Sequence, residues 1–171
     1  MIRNSLSLLI ASLLFIGCAT SYHSPIWHED MSDNKFDGNH FLASIVPIST
    51  NPYSNNYTGY NLMINNTSNE DIEIDWNKTL FLKNGQTNGG FMYEGIVYKD
   101  RNNSRMPDII LAGEDFSKNI LPNNLVSFTS GKYGGWRHES LPLGESGVLL
   151  TTIIEGEQVR GKMTIYTTVE N

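Results

Sequence analysis

Cysteine is almost absent from the sequence: Cys18 is the single example in 171 residues. One thiol cannot form an intramolecular disulfide, and it cannot build a metal site that needs several cysteines. The fold must therefore be held together by its core. A chain of this length fits one domain and can bury enough surface to fold without cross-links.

Positive charge is also scarce, because 12 Lys and Arg residues are set against 18 Asp and Glu residues, a formal net charge of −6. Nucleic-acid binding and electrostatic adhesion to anionic lipid both need clusters of basic side chains. The composition therefore argues against a nucleic-acid partner and against attachment to a membrane by charge alone.

Long hydrophobic runs are absent except near the start, in MIRNSLSLLIASLLFIGCAT, where an apolar run from Leu6 to Ile16 follows Arg3. A basic residue, a short apolar run and a small residue are the pattern of an export signal. The run is about half the roughly 20 residues that a bilayer-spanning helix needs. A cleaved signal is therefore favoured over a permanent membrane helix.

The end of this signal, Phe15-Ile16-Gly17-Cys18, resembles the lipobox of bacterial lipoproteins, although Leu is commoner at the position of Phe15. The resemblance implies cleavage before Cys18 and lipid on its sulfur. Several acyl chains on one residue give stable anchoring, and acylation accounts for the lone thiol. Because Ala19 follows, the resemblance also implies sorting to the outer membrane, facing the periplasm. An ordinary signal peptide, with Cys18 a bystander, is the alternative.

These features divide the chain into a signal peptide at 1–17, a lipidated N-terminus and flexible tether at 18–39, and a domain at 40–171. The tether lacks periodicity but is rich in groups that bind metals: His23, His28, Glu29, Asp30, Asp33 and Asp37, with His40 just beyond. A calcium loop counted from Asp33 fails, because Lys35 and Ser44 occupy ligand positions. A looser zinc or copper site stays open as an alternative. We predict no metal and no cofactor.

Alternating apolar residues over most of the domain indicate short strands separated by turns rich in Gly, Asn and Pro. Tyr60, Leu62 and Ile64 alternate in one segment, and Ile72, Ile74 and Trp76 alternate in the next, so we expect these two segments to form a hairpin. Residues 91–99 are apolar on both faces and predict a central strand. Two long strands joined by a turn at residues 155–157 are expected to close the chain.

With about eight to ten strands and no helical periodicity, the predicted fold is an immunoglobulin-like antiparallel β-sandwich, with a small β-barrel as the alternative.

A second resemblance covers about residues 60–155. The order of motifs is Asp75-Trp76-Asn77-Lys78-Thr79, Asn84-Gly85, Gly95 with Tyr98, Asp100-Arg101-Asn102-Asn103, Pro107 with Gly113, and Ile120-Leu121-Pro122. It resembles a group of uncharacterised bacterial envelope lipoproteins. These motifs are turns and core aromatics, so the resemblance implies a fold and carries no activity to particular residues.

Signatures of catalysis fail on named residues. Gly144-Glu145-Ser146-Gly147 lacks one spacer of a nucleophile elbow, and Ser130-Gly131-Lys132 is followed by Tyr133 where a phosphate loop has Ser or Thr. We therefore predict no catalytic residues and no enzymatic activity.

The loop at residues 132–139 is the most unusual in composition, since it combines aromatic rings, a guanidinium and an imidazole with two glycines. Such side chains on a loop favour recognition of a sugar, a carboxylate or a protein. The candidate binding residues are Tyr133, Trp136, Arg137 and His138. The alternative is that Trp136 only covers the open end of the sandwich.

The predicted function is a lipid-anchored envelope protein that acts as a non-enzymatic binding or scaffold module for a protein, a glycan or a peptidoglycan component. An accessory or inhibitory subunit of an envelope enzyme or secretion machine is the first alternative. An unrecognised hydrolase is the second.

Overall fold

The structure is a computed structural model that describes residues 26–51, 56–132 and 134–170. Over these residues the chain is all-β, with antiparallel sheets and two 3₁₀ turns at Tyr98–Asp100 and Asn123–Leu125. The sheets do not close into a barrel. The predicted fold class, an antiparallel β-sandwich, is confirmed, and the barrel alternative is wrong. The described residues include no helix long and apolar enough to cross a bilayer.

Two sheets form the layers of the sandwich. The first holds β1 (Ile26–Asp30), β5 (Ile72–Ile74), β6 (Leu80–Lys83), β7 (Gln86–Thr87), β9 (Asp108–Ile110), β13 (Gly144–Ile154) and β14 (Glu157–Glu170). The second holds β2 (Lys35–Asp37), β3 (Phe41–Ile48), β4 (Gly59–Asn66), β8 (Phe91–Met92) and β10 (Asp115–Pro122). A separate hairpin consists of β11 (Val126–Thr129) and β12 (Gly135–His138).

The predicted closing hairpin is the longest pairing of the fold, since all of β13 pairs with β14 from Gly144↔Thr167 to Ile154↔Glu157. Glu155 and Gly156 make its turn with φ angles of 50° and 82°. The other edge of β13 is shared by two strands, with β5 on residues 152–154 and β6 on residues 146–149. β13 is therefore the central strand of the first sheet.

The core lies between the two sheets and is built by the alternation that the sequence shows. Tyr60, Leu62 and Ile64 of β4 are buried against the first sheet. Further members are Phe41, Ile45, Ile72, Ile74, Phe81, Val148, Leu150, Met163 and Ile165. The Tyr60 hydroxyl donates to Ser146 Oγ at 2.8 Å, and this buried hydrogen bond joins the layers.

A tight turn at residues 75–79 joins β5 to β6 along the edge of β13. The Thr79 amide donates to the Asp75 carbonyl at 2.9 Å, and the buried Thr79 hydroxyl accepts from the Thr151 amide at 3.1 Å. Trp76 is buried, and its Nε1 donates to Asp108 Oδ2 at 2.8 Å. The Asp-Trp-Asn-Lys-Thr motif is thus a structural corner.

The predicted tether at 18–39 extends too far toward the domain. Ile26–Asp30 forms β1 and pairs with residues 166–170 of β14, and Lys35–Asp37 forms β2 on the edge of β3. β1 pairs along the edge of β14 that faces away from β13. It forms hydrogen bonds there with backbone groups of β14 that would otherwise lack a partner. The domain therefore begins no later than residue 26.

Two strand expectations are also wrong. β4 and β5 lie in opposite sheets, so they do not form a hairpin. Residues 91–99 are not a central strand, because only Phe91–Met92 is a strand and it lies at the edge of the second sheet. Gly95 has a φ of 92°, which breaks extended backbone, and Val97 is exposed.

Candidate functional site

The hairpin β11–β12 carries the segment that the sequence singles out. Phe128 lies opposite Trp136, and Val126 lies opposite His138. Because side chains alternate along a strand, these four share one face. Ser127 and Arg137 form the pair between them and lie on the opposite face.

The structure thus brings together two of the predicted binding residues, Trp136 and His138. It places Arg137 on the other face of the hairpin. Tyr133, and the predicted lipid attachment residue Cys18, lie outside the described residues. Predictions for those two positions stay predictions.

Trp136 belongs to an aromatic cluster that it forms with Phe128 and Tyr98. Its ring centroid lies 5.4 Å from that of Phe128 and 5.6 Å from that of Tyr98, both edge to face. Phe128 is 49% exposed and Trp136 is 46% exposed. Trp136 covers part of the underlying chain, but about half of its surface is open to a ligand.

A cleft of about 240 Å³ lies between this hairpin and residues 92–96. Its lining is mainly apolar, with Glu94 and His138 as charged or titratable groups; the full lining is Met92, Tyr93, Glu94, Ile96, Leu121, Val126, Trp136 and His138. His138 Nδ1 lies 2.8 Å from Thr50 Oγ1. Burial lowers the pKa of His138 below its ordinary value, so the imidazole is neutral near pH 7.

Residues 93–107 form a long loop beside the hairpin, and this loop contributes Tyr98, Arg101 and Arg105 to the candidate site. Connections of this length are uncommon in a compact domain, and many of them carry binding residues. Together with the turn at residues 75–79 it encloses an arginine pocket of about 170 Å³. The lining residues are Trp76, Asn77, Leu80, Gly90, Phe91, Arg101, Asn102, Asn103, Arg105 and Asn123.

Hydrogen bonds to backbone carbonyls hold the guanidinium groups of Arg101 and Arg105 in place. Arg101 donates from Nη1 to the Tyr98 carbonyl at 3.1 Å, and Arg105 donates from Nη2 to the Arg101 carbonyl. Within the described ranges, neither arginine forms a salt bridge. Burial lowers the pKa of Arg105, and Tyr93 partly opposes this. The guanidinium is thus partly desolvated without a carboxylate to compensate it.

Tyr98 connects the arginine pocket to the aromatic cluster. The guanidinium carbon of Arg101 lies 4.0 Å from the centroid of the Tyr98 ring, and that ring also packs against Phe128 and Trp136. Cationic and aromatic groups therefore form one continuous surface. We call this the aromatic–arginine surface; it consists of Tyr98, Phe128, Trp136, Arg101 and Arg105.

Lys118 forms a structural node beside this surface. Its Nζ contacts Asp108 Oδ2, which also accepts from Trp76 Nε1, and lies 4.4 Å from the Tyr93 ring centroid. The charge of Lys118 is thus already compensated within the protein.

A larger concavity, about 780 Å³, is a trough on the outer face of the second sheet. All of its lining comes from β2, β3, β4 and β10; the outward side chains are Lys35, Asp37, Leu42, Ser44, Met63, Asn65, Asp115 and Ser117. Leu42 and Met63 are the apolar side chains among these outward ones, and the rings of Phe36 and Phe116, which also line the trough, lie on the inward side of their strands. The trough is therefore a weaker recognition site than the aromatic–arginine surface.

Sequence reasoning found Trp136 but missed Phe128, Tyr98, Arg101 and Arg105. The sequence predicts only a polar turn at Asp100-Arg101-Asn102-Asn103. The available signal was two arginines with several asparagines in one long loop. Their contact with Trp136 depends on the chain returning after β10, which no local pattern indicates.

No group of three or more His, Cys, Asp or Glu side chains is placed to hold a metal among residues 26–51, 56–132 and 134–170. His23 lies outside these ranges.

Comparison with known proteins gives no match to a protein-family model, to a curated protein or to a solved structure.

Proposed function

We propose that the chain is a bacterial envelope protein, anchored through lipid on Cys18, that acts as a non-enzymatic binding module. Its ligand is a component of the envelope, and the aromatic–arginine surface recognises it. The sandwich supplies a rigid support for two adjacent recognition segments, the loop at residues 93–107 and the hairpin β11–β12. The lipid keeps that surface close to the membrane.

The observation that carries this proposal is the exposure of Trp136 and Phe128 beside two arginines that have no ion-pair partner among the described residues. Aromatic and arginine side chains dominate the binding energy at recognition surfaces. Leaving them open to solvent costs hydrophobic free energy, which binding would recover.

The proposal is tested by replacing Trp136 with Ala and measuring how much protein sediments with isolated envelope fragments. Loss of a central aromatic side chain typically costs 2 kcal/mol or more at a recognition surface, so we expect binding to weaken about 30-fold. Far-UV circular dichroism should be unchanged, because the side chain is half exposed and lies outside the core.

Tyr166→Ala is the matched control, since Tyr166 is an exposed aromatic residue on β14 of the first sheet, away from the hairpin. It should sediment like the wild type. If Trp136→Ala and Tyr166→Ala sediment with envelope fragments to the same extent, the aromatic–arginine surface does not bind the ligand.

A further inference from the structure

We propose that the arginine pocket binds the carboxylate of an acidic sugar unit, while the aromatic cluster stacks on the adjoining part of the same glycan. This inference rests on the proposed function and adds to it the class of ligand. It assigns separate roles to the two halves of the surface: Arg101 and Arg105 select for charge, and Trp136 and Phe128 supply most of the affinity.

Charge is the first argument. In a chain with a net charge of −6, Arg101 and Arg105 both line one pocket. Among the described residues the guanidinium group of each makes one hydrogen bond, to a backbone carbonyl. A guanidinium has five N–H donors in a planar fork that matches a carboxylate. Most guanidinium N–H donors of Arg101 and Arg105 therefore have no hydrogen-bond acceptor in the described part of the chain.

The carboxylates nearest in sequence already have partners. Asp108 accepts from Trp76 Nε1 at 2.8 Å and contacts the Lys118 ammonium, and Asp100 accepts from Asn103 Nδ2 at 3.1 Å. Among the described residues no carboxylate forms an ion pair with Arg101 or Arg105, so in this proposal the anion belongs to the ligand.

Hydrogen-bonding capacity is the second argument, and it favours a sugar over a simple anion. Asn123 is 8% exposed and lines the pocket; its Nδ2 donates to the Arg101 carbonyl at 2.9 Å. Its Oδ1 has no hydrogen-bond partner among the described residues. That oxygen is itself buried, so the amide groups open to a ligand are those of Asn102 and Asn103, which are exposed and line the same pocket. Amide groups bind hydroxyl groups, which a sugar carries and a simple anion lacks.

Size and continuity are the third argument. The pocket of about 170 Å³ is smaller than the roughly 300–1,000 Å³ of pockets that enclose drug-sized ligands, so it suits one ring. The Tyr98 ring, with Arg101 on it, leads directly to Trp136 and Phe128. The apolar C–H face of a second sugar ring stacks on exposed aromatic side chains of this kind. A glycan fits this arrangement better than an acidic peptide does, because a sugar ring carries both an apolar C–H face for the aromatic side chains and hydroxyl groups for the amide groups of the pocket.

The experiment uses the processed protein in detergent and two matched pairs of sugars, with binding measured by saturation-transfer NMR. The pairs are N-acetylmuramic acid with N-acetylglucosamine, and glucuronic acid with glucose. In at least one pair the acidic member should bind about tenfold more tightly, because a charge-assisted hydrogen bond contributes more than a neutral one. Arg101→Gln and Arg105→Gln should each reduce that preference, and the neutral sugar should bind as before.

Arg160→Gln is the matched control, since Arg160 is exposed on β14 of the first sheet. It should keep the wild-type preference. Arg101→Lys adds a test that does not depend on removing charge: it keeps the cation but loses the fork, so its preference should fall between those of the wild type and Arg101→Gln.

Three results would overturn the inference. Equal binding of acidic and neutral sugars, with both lost in Trp136→Ala, would leave a glycan-binding surface without charge selection, so the proposed function would survive. Binding of a hexaglutamate peptide in place of all four sugars would assign the pocket to an acidic protein partner. Absence of binding by all these probes would reject the pocket as a carboxylate site.

Discussion

His138 is a partly buried residue of the candidate site, and its surroundings favour the neutral imidazole. Its Nδ1 lies 2.8 Å from Thr50 Oγ1, and the tautomer of the imidazole decides which of the two atoms donates. Burial lowers the pKa of His138, because it disfavours the charged imidazole.

The pH dependence of stability follows from this burial. Because the pKa of His138 is lowered on folding, the unfolded chain binds the proton more readily than the native chain. The stabilisation is fully present above pH 6.5, the ordinary pKa, and is lost as pH falls through the native pKa. An NMR titration should place the pKa of His138 below 6.5. The urea midpoint should fall more between pH 7 and pH 5 in the wild type than in His138→Ala. A His138 that titrates at 6.5 or above would contradict this account.

The sequence predicts some residues of the candidate site but not the contacts between them. Trp136 could be identified because its loop is unusual in composition. The partners of Trp136 could not, because Tyr98 and Phe128 are separated from each other by some thirty residues and meet it only in the folded chain. Arg137 was predicted beside Trp136, and strand alternation places it on the other face.

Among the elements, the pairing of β13 with β14 depends on a close backbone approach at Gly147. A Cβ at this position would lie 2.0 Å from the Met163 carbonyl oxygen and 2.8 Å from Thr164 Cα. Both are backbone atoms, so they cannot move aside as a flexible side chain does. Only glycine fits there without shifting the central strand pair.

Gly147→Ala should therefore destabilise the protein by about 3 kcal/mol, at the upper end of what overpacking usually costs, measured as a shift of the urea midpoint. Gly90→Ala is a suitable control, because the nearest atom to a Cβ at that position is Asn123 Nδ2 at 3.6 Å, an ordinary contact. If the two variants unfold at the same urea concentration, the close approach at Gly147 does not limit the pairing.

The elements also show which parts of the fold follow from local pattern. Asn84-Gly85 has φ angles of 49° and 75°, as its sequence predicts for a tight turn, and the long closing hairpin follows from the apolar pattern around residues 155–157. Strand partners were harder to predict. Alternation identifies the buried face of β4 and β5 but carries no information about which sheet each joins. β1 and β2 are short and mostly polar, so the sequence shows no strand pattern for them. They become strands because each pairs with the edge of a longer strand, β1 with β14 and β2 with β3.

At the scale of the whole described chain, the sandwich places its two candidate recognition elements together. The loop at residues 93–107 runs from β8 of the second sheet to β9 of the first, and the hairpin β11–β12 packs against it outside both sheets. Both layers are tied through the core, so the aromatic–arginine surface rests on a rigid base. This arrangement suits binding at a fixed position, which is what a lipid anchor would supply.

The central claim is that a binding module is held at a membrane by lipid on Cys18, and one measurement tests it most directly. Cells that produce the wild type or Cys18→Ser are fed a labelled fatty acid, and the protein is followed by label, size and membrane fraction. We predict that the wild type takes up label, loses its signal peptide and sediments with membranes, whereas Cys18→Ser stays unlabelled and unprocessed. Equal labelling of the two proteins, or a wild type without label, would contradict the account.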